Sequence, residues 1–235
     1  MIDLYALPTP NCWKVSIALE EMALDYSYKR VDIAQGDQFK EPFTRINPLR
    51  KVPVIVDRAP ADGGEPLRVI ESAAILLYLA EKTGRFLPRD LRPRVEVLQW
   101  LMWDTSNVGE VHSTRLAFIA EPGSPGAVTK EGAAPVAAAA DYMAVKLRSL
   151  YEQLNDRLAD REYLCDAYSI ADMAAWCHVV SHRVYAVSDG LDTYPNLLRW
   201  YHALRERPAL RRGFDLDLEI FEKIPEDFRK SLRDE

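Results

Sequence analysis

Two short clusters of side chains in this chain could act on one ligand: Thr9-Pro-Asn-Cys12, and Glu71-Ser72 together with Lys51-Val-Pro53. Thr9 stands where a helix would begin, with Pro10 in its first turn, where a missing N–H costs nothing. A helix start directly after a strand gathers free backbone N–H groups and the positive end of the helix dipole, which favours a thiolate or another anion. Thr9 and Asn11 can both donate a hydrogen bond to that anion. Neutral donors lower the pKa of a thiol that they do not themselves supply, so the pair reads as the activation of a borrowed nucleophile. Cys12 has the spacing of the second cysteine of a C-x-x-C motif whose first position is threonine. With half of the dithiol missing, a dithiol cycle is not expected, and Cys12 reads as a small buried residue of the first turn.

Glu71-Ser72 opens another helix. A serine hydroxyl and free N–H groups suit a carboxylate, and the adjacent Glu71 can hold an ammonium group, so the pair matches both charges of a free amino acid moiety. Pro53, at the head of a strand, cannot donate to a ladder and is a candidate for a cis bond, which leaves the backbone of Val52 to pair with a ligand. A small peptide with a free amino acid end fits this combination.

These residues must be positioned by an α/β unit. Ile2 to Leu7 reads as a strand, Pro10 onward as a helix with Val15, Ala18, Leu19 and Met22 on one face, and Tyr26 to Ile33 as a second strand. A short helix is expected over 38–46, then a hairpin of Val52–Val56 and Leu67–Ile70 through Gly63-Gly64, then a helix over 72–83 stopped at Gly84. Parallel pairing through the early crossovers and antiparallel pairing in the hairpin predict a mixed four-stranded sheet covered by helices, over residues 1–84. Residues 85–93 read as a linker, and 94–235 as an all-helical domain. That domain has a helix over 94–118, a Pro- and Gly-rich loop over 121–135, a long helix to about 158, and a helix opened by the capping box Ser169-Ile-Ala-Asp172. The tail from Phe214 to Glu235 reads as a docked helix or a frayed end.

Composition limits the partners. The chain has 235 residues, 48% of them hydrophobic and 28% charged, enough for a substantial core. A net charge of −6 without a basic cluster argues against nucleic acid and anionic lipid. No apolar run approaches the length of a membrane span, and the first residues do not read as a signal peptide, so a cytoplasmic protein is expected. Three widely spaced cysteines fit a reducing compartment. His178 and His182 have metal-ligand spacing, but Val179 stands where His-Glu-x-x-His needs glutamate and no third ligand is apparent, so no metal is expected. Dinucleotide, P-loop and serine-hydrolase motifs are absent. Trp100, Trp103, Trp176 and Trp200 read as packing residues, and Trp13 as lining the mouth of the site.

Lys51-Val-Pro53, Glu71-Ser72 and Ser169-Ile-Ala-Asp172, over nearly the whole chain, resemble the glutathione transferase superfamily. Thr9-Pro-Asn11, Gln38-Phe39, Ile46-Asn-Pro48 and the run Ala73 to Ala80 are most similar to the bacterial Nu class and its disulfide-bond oxidoreductase relatives. The resemblance implies a thioredoxin-like first domain and a cis Pro53. It implies that Val52 pairs with the cysteinyl part of glutathione, Glu71 and Ser72 hold the γ-glutamyl end, Lys51 and Gln38 reach the glycyl end or nearby polar atoms, and Thr9 and Asn11 lie next to the sulfur. It implies glutathione as co-substrate, a small electrophile or disulfide as second substrate, and a homodimer. A glutathione-binding regulatory protein with little catalysis is the alternative. The chain departs from the pattern at Cys12-Trp13-Lys14, where the family has Gly-x-Lys, and at Asp104-Thr-Ser-Asn-Val-Gly109, where glutamine and a glycine-rich turn are expected. An arginine that relatives offer to glutathione is absent near Asp141-Tyr142.

Overall fold

The computed structural model describes residues 1–119, 133–182 and 190–217. Strands β1 (Ile2–Ala6), β2 (Tyr26–Arg30), β3 (Val54–Asp57) and β4 (Leu67–Ile70) form a four-stranded sheet in the order β2-β1-β3-β4. β1 pairs parallel with β2 and antiparallel with β3, and β3 pairs antiparallel with β4. The mixed sheet is the one the sequence predicts. The second strand is shorter than expected: it ends at Arg30, and Ile33–Gln35 turns into a 3-10 helix whose first N–H groups are capped by Asp32. The helix expected over 38–46 is two pieces, a 3-10 turn at Asp37–Phe39 and the single-turn α2 (Phe43–Ile46).

α1 (Pro10–Glu21) and α3 (Ser72–Thr83) cover the sheet. The one-sided face predicted for α1 is too narrow. Its residues from Cys12 to Leu19 are all buried, Lys14 and Ser16 included, because helices of the second half pack on the side away from the sheet. Trp13 is part of that packing. It is buried against Phe214 with ring centroids 4.7 Å apart, a core position rather than the mouth of the site.

The helical half starts earlier than the linker expectation, with α4 (Leu91–Trp103). The helix expected over 94–118 is interrupted: Asp104–Val108 is a π-helical turn, and α5 (Gly109–Ile119) continues beyond it. The local cause is in the side chains. Thr105, Ser106 and Asn107 donate to the carbonyls of Leu101, Met102 and Trp103, each four residues back, at 3.0, 2.8 and 3.0 Å. Hydroxyl and amide groups that bond back to the preceding turn relax the i→i−4 ladder and bend a helix. α6 (Ala133–Arg157), α7 (Ile170–Val179), α8 (Pro195–Arg205) and α9 (Pro208–Phe214) complete the fold. Most of the loop expected over 121–135, and the tail beyond Asp217, lie outside the described residues.

The capping box at α7 is present. Ser169 Oγ accepts from Ala171 N–H, and Asp172 accepts from the backbone N–H groups of Ser169 and Leu164 and from Trp200 Nε1. Burial pushes the Asp172 carboxyl up to about 6 even with these donors around it. The two halves are joined across α1 and β2. Ser16 Oγ donates to Gly213 O at 2.6 Å, Arg207 clasps Glu21 with two hydrogen bonds of 2.7 and 2.8 Å, and Arg30 does the same to Asp217.

Candidate active site

The register of the sheet brings the predicted residues to one edge. Val54 of β3 faces Tyr5 of β1 on one side and Ile70 of β4 on the other. One step further along lie Pro53, the end of β1 that feeds α1, and Glu71 at the end of β4. The α1 N-terminus, the start of β3 and the α3 N-terminus therefore share one end of the sheet, with no side-chain contact needed to bring them there.

Thr9 is the N-cap residue of α1, with extended backbone (φ −147°), and Pro10 follows in the first turn. The Thr9 hydroxyl makes no hydrogen bond to the first-turn N–H groups. Asn11 is exposed, and its Oδ1 accepts from Ser72 Oγ at 3.4 Å, a direct link between the N-termini of α1 and α3. With Oδ1 turned toward Ser72, the Nδ2 group of Asn11 faces the other way as a donor. Ser72 is buried at 8% exposure. Glu71 is exposed and holds φ 69°, ψ 119°. A side chain bearing a Cβ occupies this backbone region at a cost of about 1–3 kcal/mol, and residues held there cluster at ligand sites.

The Val52–Pro53 peptide bond is cis, with Pro53 buried and Val52 half-buried. The approach to it is set by Asn47, whose Nδ2 donates to Lys51 O at 2.7 Å and whose Oδ1 accepts from Leu49 N–H at 3.0 Å. Asn47 is 2% exposed. The sequence signal for this role is an asparagine directly before a proline, a residue type that bonds its own backbone in turns. Lys51 itself is exposed. Gln38 lies in the 3-10 turn after β2, where its Nε2 donates to Ile33 O at 3.3 Å. Its Oε1 is buried and takes no hydrogen bond from the described residues.

Residues 9–82 match the family model described as the glutathione S-transferase N-terminal domain, and residues 132–203 the C-terminal one. A disulfide-bond oxidoreductase of Escherichia coli, YfcG, is 42% identical over 89% of this chain and 92% of its own. The chain belongs to the glutathione S-transferase family. A second E. coli disulfide-bond oxidoreductase, YghU, is 35% identical over 90% of this chain and 73% of its own. Among solved structures, a glutathione transferase from Burkholderia graminis with two glutathione molecules per subunit has TM-score 0.81 and 35% identity, covering 91% of this chain and 87% of its own. One from Pseudomonas putida, with one glutathione disulfide per subunit, has TM-score 0.80 and 32% identity, covering 92% and 91%.

In this family member the cysteines are all buried. Burial pushes the Cys12 thiol up to about 11, a hydrogen bond with Thr9 offsetting it only in part, and burial raises Cys165 and Cys177 as well. A thiol so rarely ionised and so enclosed is a poor nucleophile. Cys12→Ser is accordingly expected to retain most of the glutathione-dependent turnover, measured as kcat at saturating glutathione.

What the sequence did not assemble is a charged cluster beneath the site. Lys14 Nζ donates to Asp104 Oδ2 at 2.9 Å, and His178 Nδ1 lies 2.8 Å from Asp104 Oδ1, with side-chain exposures of 1%, 0% and 2%. His178 in turn meets His112 edge-on at 5.3 Å between ring centroids. Burial works to raise the Asp104 carboxyl, but the His178 ring and the Lys14 ammonium more than offset it and hold it well below the usual carboxylate range. Burial holds His178 below its ordinary value, against the opposing pull of Asp104. His182 bonds Val179 O at 2.9 Å. Among the described residues, no group of three or more His, Cys, Asp or Glu side chains could hold a metal ion.

Proposed function

We propose that the protein binds glutathione at the sheet end, that Thr9 and Asn11 stabilise its thiolate, and that this sulfur attacks a disulfide or an electrophilic carbon. The observation that carries this reading is the contact between Asn11 and Ser72 at two converging helix N-termini, in a chain whose own thiols are all buried. The nucleophile is then the ligand's. Glu71 and Ser72 hold the γ-glutamyl end, the Val52 backbone pairs with the cysteinyl part, and Lys51 lies toward the glycyl carboxylate. Gln38, in the 3-10 turn after β2, is assigned with Lys51 to the glycyl end or nearby polar atoms.

With a disulfide substrate, one glutathione thiolate displaces a substrate thiolate and forms a mixed disulfide. A second glutathione thiolate then attacks its glutathione sulfur, releasing the other substrate thiolate and glutathione disulfide. The relative with two glutathione molecules per subunit and the one with glutathione disulfide support this stoichiometry. Homology to two proteins named disulfide-bond oxidoreductases favours reduction over conjugation.

The decisive assay compares glutathione-dependent reduction of bis(2-hydroxyethyl) disulfide with conjugation of an aryl halide. Reduction is expected to dominate. Tight glutathione binding with neither activity would favour a regulatory binding protein, and failure to bind glutathione would remove both readings. A cytoplasmic setting agrees with three unpaired cysteines. A homodimer is supported by Leu91, Val95 and Met102, exposed along one stripe of α4, and by exposed Tyr142 and Val145 on α6. Sedimentation equilibrium is expected to give twice the chain mass.

A further inference from the structure

We propose that Lys14, Asp104 and His178 form a positioning device that fixes the roll of α1 and thereby the aim of Thr9 and Asn11 at the glutathione sulfur. This rests on the thiolate role assigned to those two residues above. None of the three touches the ligand site itself.

A fully buried ion pair loses the hydration of both charges, and apolar residues of similar volume hold helices together at least as well. What a lysine–carboxylate pair adds over two leucines is direction, because its hydrogen bonds tolerate little rotation. Lys14 stands three residues beyond Asn11, on the next turn of α1. Among the described residues, the other polar anchors of α1 to the helical half, Ser16 to Gly213, Glu20 to Arg212 and Glu21 to Arg207, lie further from the helix start, so that Lys14 is the anchor nearest the donors.

Asp104 is itself immobilised. It opens the π-turn, its carbonyl accepts from Gly109 N–H five residues on, and Thr105, Ser106 and Asn107 bond back to the turn before. Its two carboxylate oxygens are held separately, Oδ2 by Lys14 and Oδ1 by His178. The His178 ring is held over the end of the turn, since a Cβ at Gly109 would stand 2.9 Å from His178 Cε1. α1 therefore cannot roll without breaking a hydrogen bond to a carboxylate that cannot follow it. A π-turn inserted into a long helix is a recurrent way of aiming one side chain.

The test separates geometry from mere stability. The double variant Lys14→Met with Asp104→Asn removes both charges, keeps the volumes and leaves His178 Nδ1 a hydrogen-bond partner, so it is expected to melt close to the wild-type temperature and to bind glutathione within about twofold by calorimetry. The thiol pKa of bound glutathione, read by thiolate ultraviolet absorbance, is expected to rise by about one unit, with kcat at neutral pH down about tenfold and recovering at alkaline pH. A folded double variant with wild-type thiol pKa overturns the proposal, whatever its kcat. If the double variant does not fold, Lys14→Met, which leaves Asp104 paired with His178, is read by the same titration with the same two outcomes. Wild-type protein that binds glutathione without lowering its thiol pKa removes both this inference and the thiolate role on which it rests.

Discussion

Asn11→Ala is expected to lower kcat for glutathione-dependent disulfide reduction about a hundredfold at neutral pH, the usual loss when one fixed donor to a developing or stored negative charge is removed. The residue is exposed, so truncation opens no cavity, and among the described residues its one side-chain hydrogen bond is a long one of 3.4 Å with Ser72. Thermal stability should change by no more than about 0.5 kcal/mol. The loss should be pH-dependent. A donor that stabilises the thiolate lowers the thiol pKa, so without it the rate profile moves to higher pH and the deficit shrinks under alkaline conditions. Asn11→Asp is the sharper variant: it keeps the shape and the bond to Ser72 but turns a carboxylate toward the thiolate, and is expected to be at least as damaging. Thr9→Val removes the second donor and is expected to cost about tenfold. A wild-type rate and an unmoved pH profile in Asn11→Ala would transfer the thiolate role to Thr9 and the backbone N–H groups of α1.

The site was legible where its chemistry is local in sequence. Thr9-Pro-Asn11 and Glu71-Ser72 announce helix starts by residue type, and Pro53 announces a strand that cannot use its own N–H, so the sheet register had only to bring known pieces to one edge. The capping box at Ser169 was legible for the same reason. The Lys14–Asp104–His178 cluster was not, because its members are 90 and 74 residues apart and each alone reads differently: a solvated lysine, a helix-breaking polar run, a stray histidine. Periodicity also failed at 104–108, where the apolar spacing of α4 carries through into α5 and only the run of Thr, Ser and Asn betrays the π-turn. Trp13 was misplaced for a related reason. A tryptophan next to a candidate active residue invites a functional reading, but the face of α1 it occupies is covered by Phe214, two hundred residues further along the chain.

That cover depends on one glycine. Helix propensity alone says that Gly213→Ala should stabilise the protein, by up to about 1 kcal/mol, because alanine is the better helix former. The packing says the opposite. A Cβ at Gly213 would lie 2.5 Å from Ile17 Cα, 2.6 Å from Ile17 N and 2.8 Å from the Ser16 carbonyl carbon. All three are backbone atoms of a buried helix, so no rotamer change relieves the clash and α9 must lift away from α1. Lifting breaks the 2.6 Å hydrogen bond from Ser16 and loosens the contact of Phe214 with Trp13. Overpacking of this kind outweighs propensity, and Gly213→Ala is expected to destabilise by about 3 kcal/mol, lowering the melting temperature by about 10 °C for a chain of this size. Arg212→Ala, one residue away, is the control. Its bond to Glu20 is a surface ion pair with the arginine 59% exposed, and its loss should cost at most about 0.5 kcal/mol. The contrast between the two melting curves separates the steric fit of α9 on α1 from the charge pairs around it. A Gly213→Ala protein that melts at or above the wild-type temperature would mean that α9 does not seat on α1 in solution.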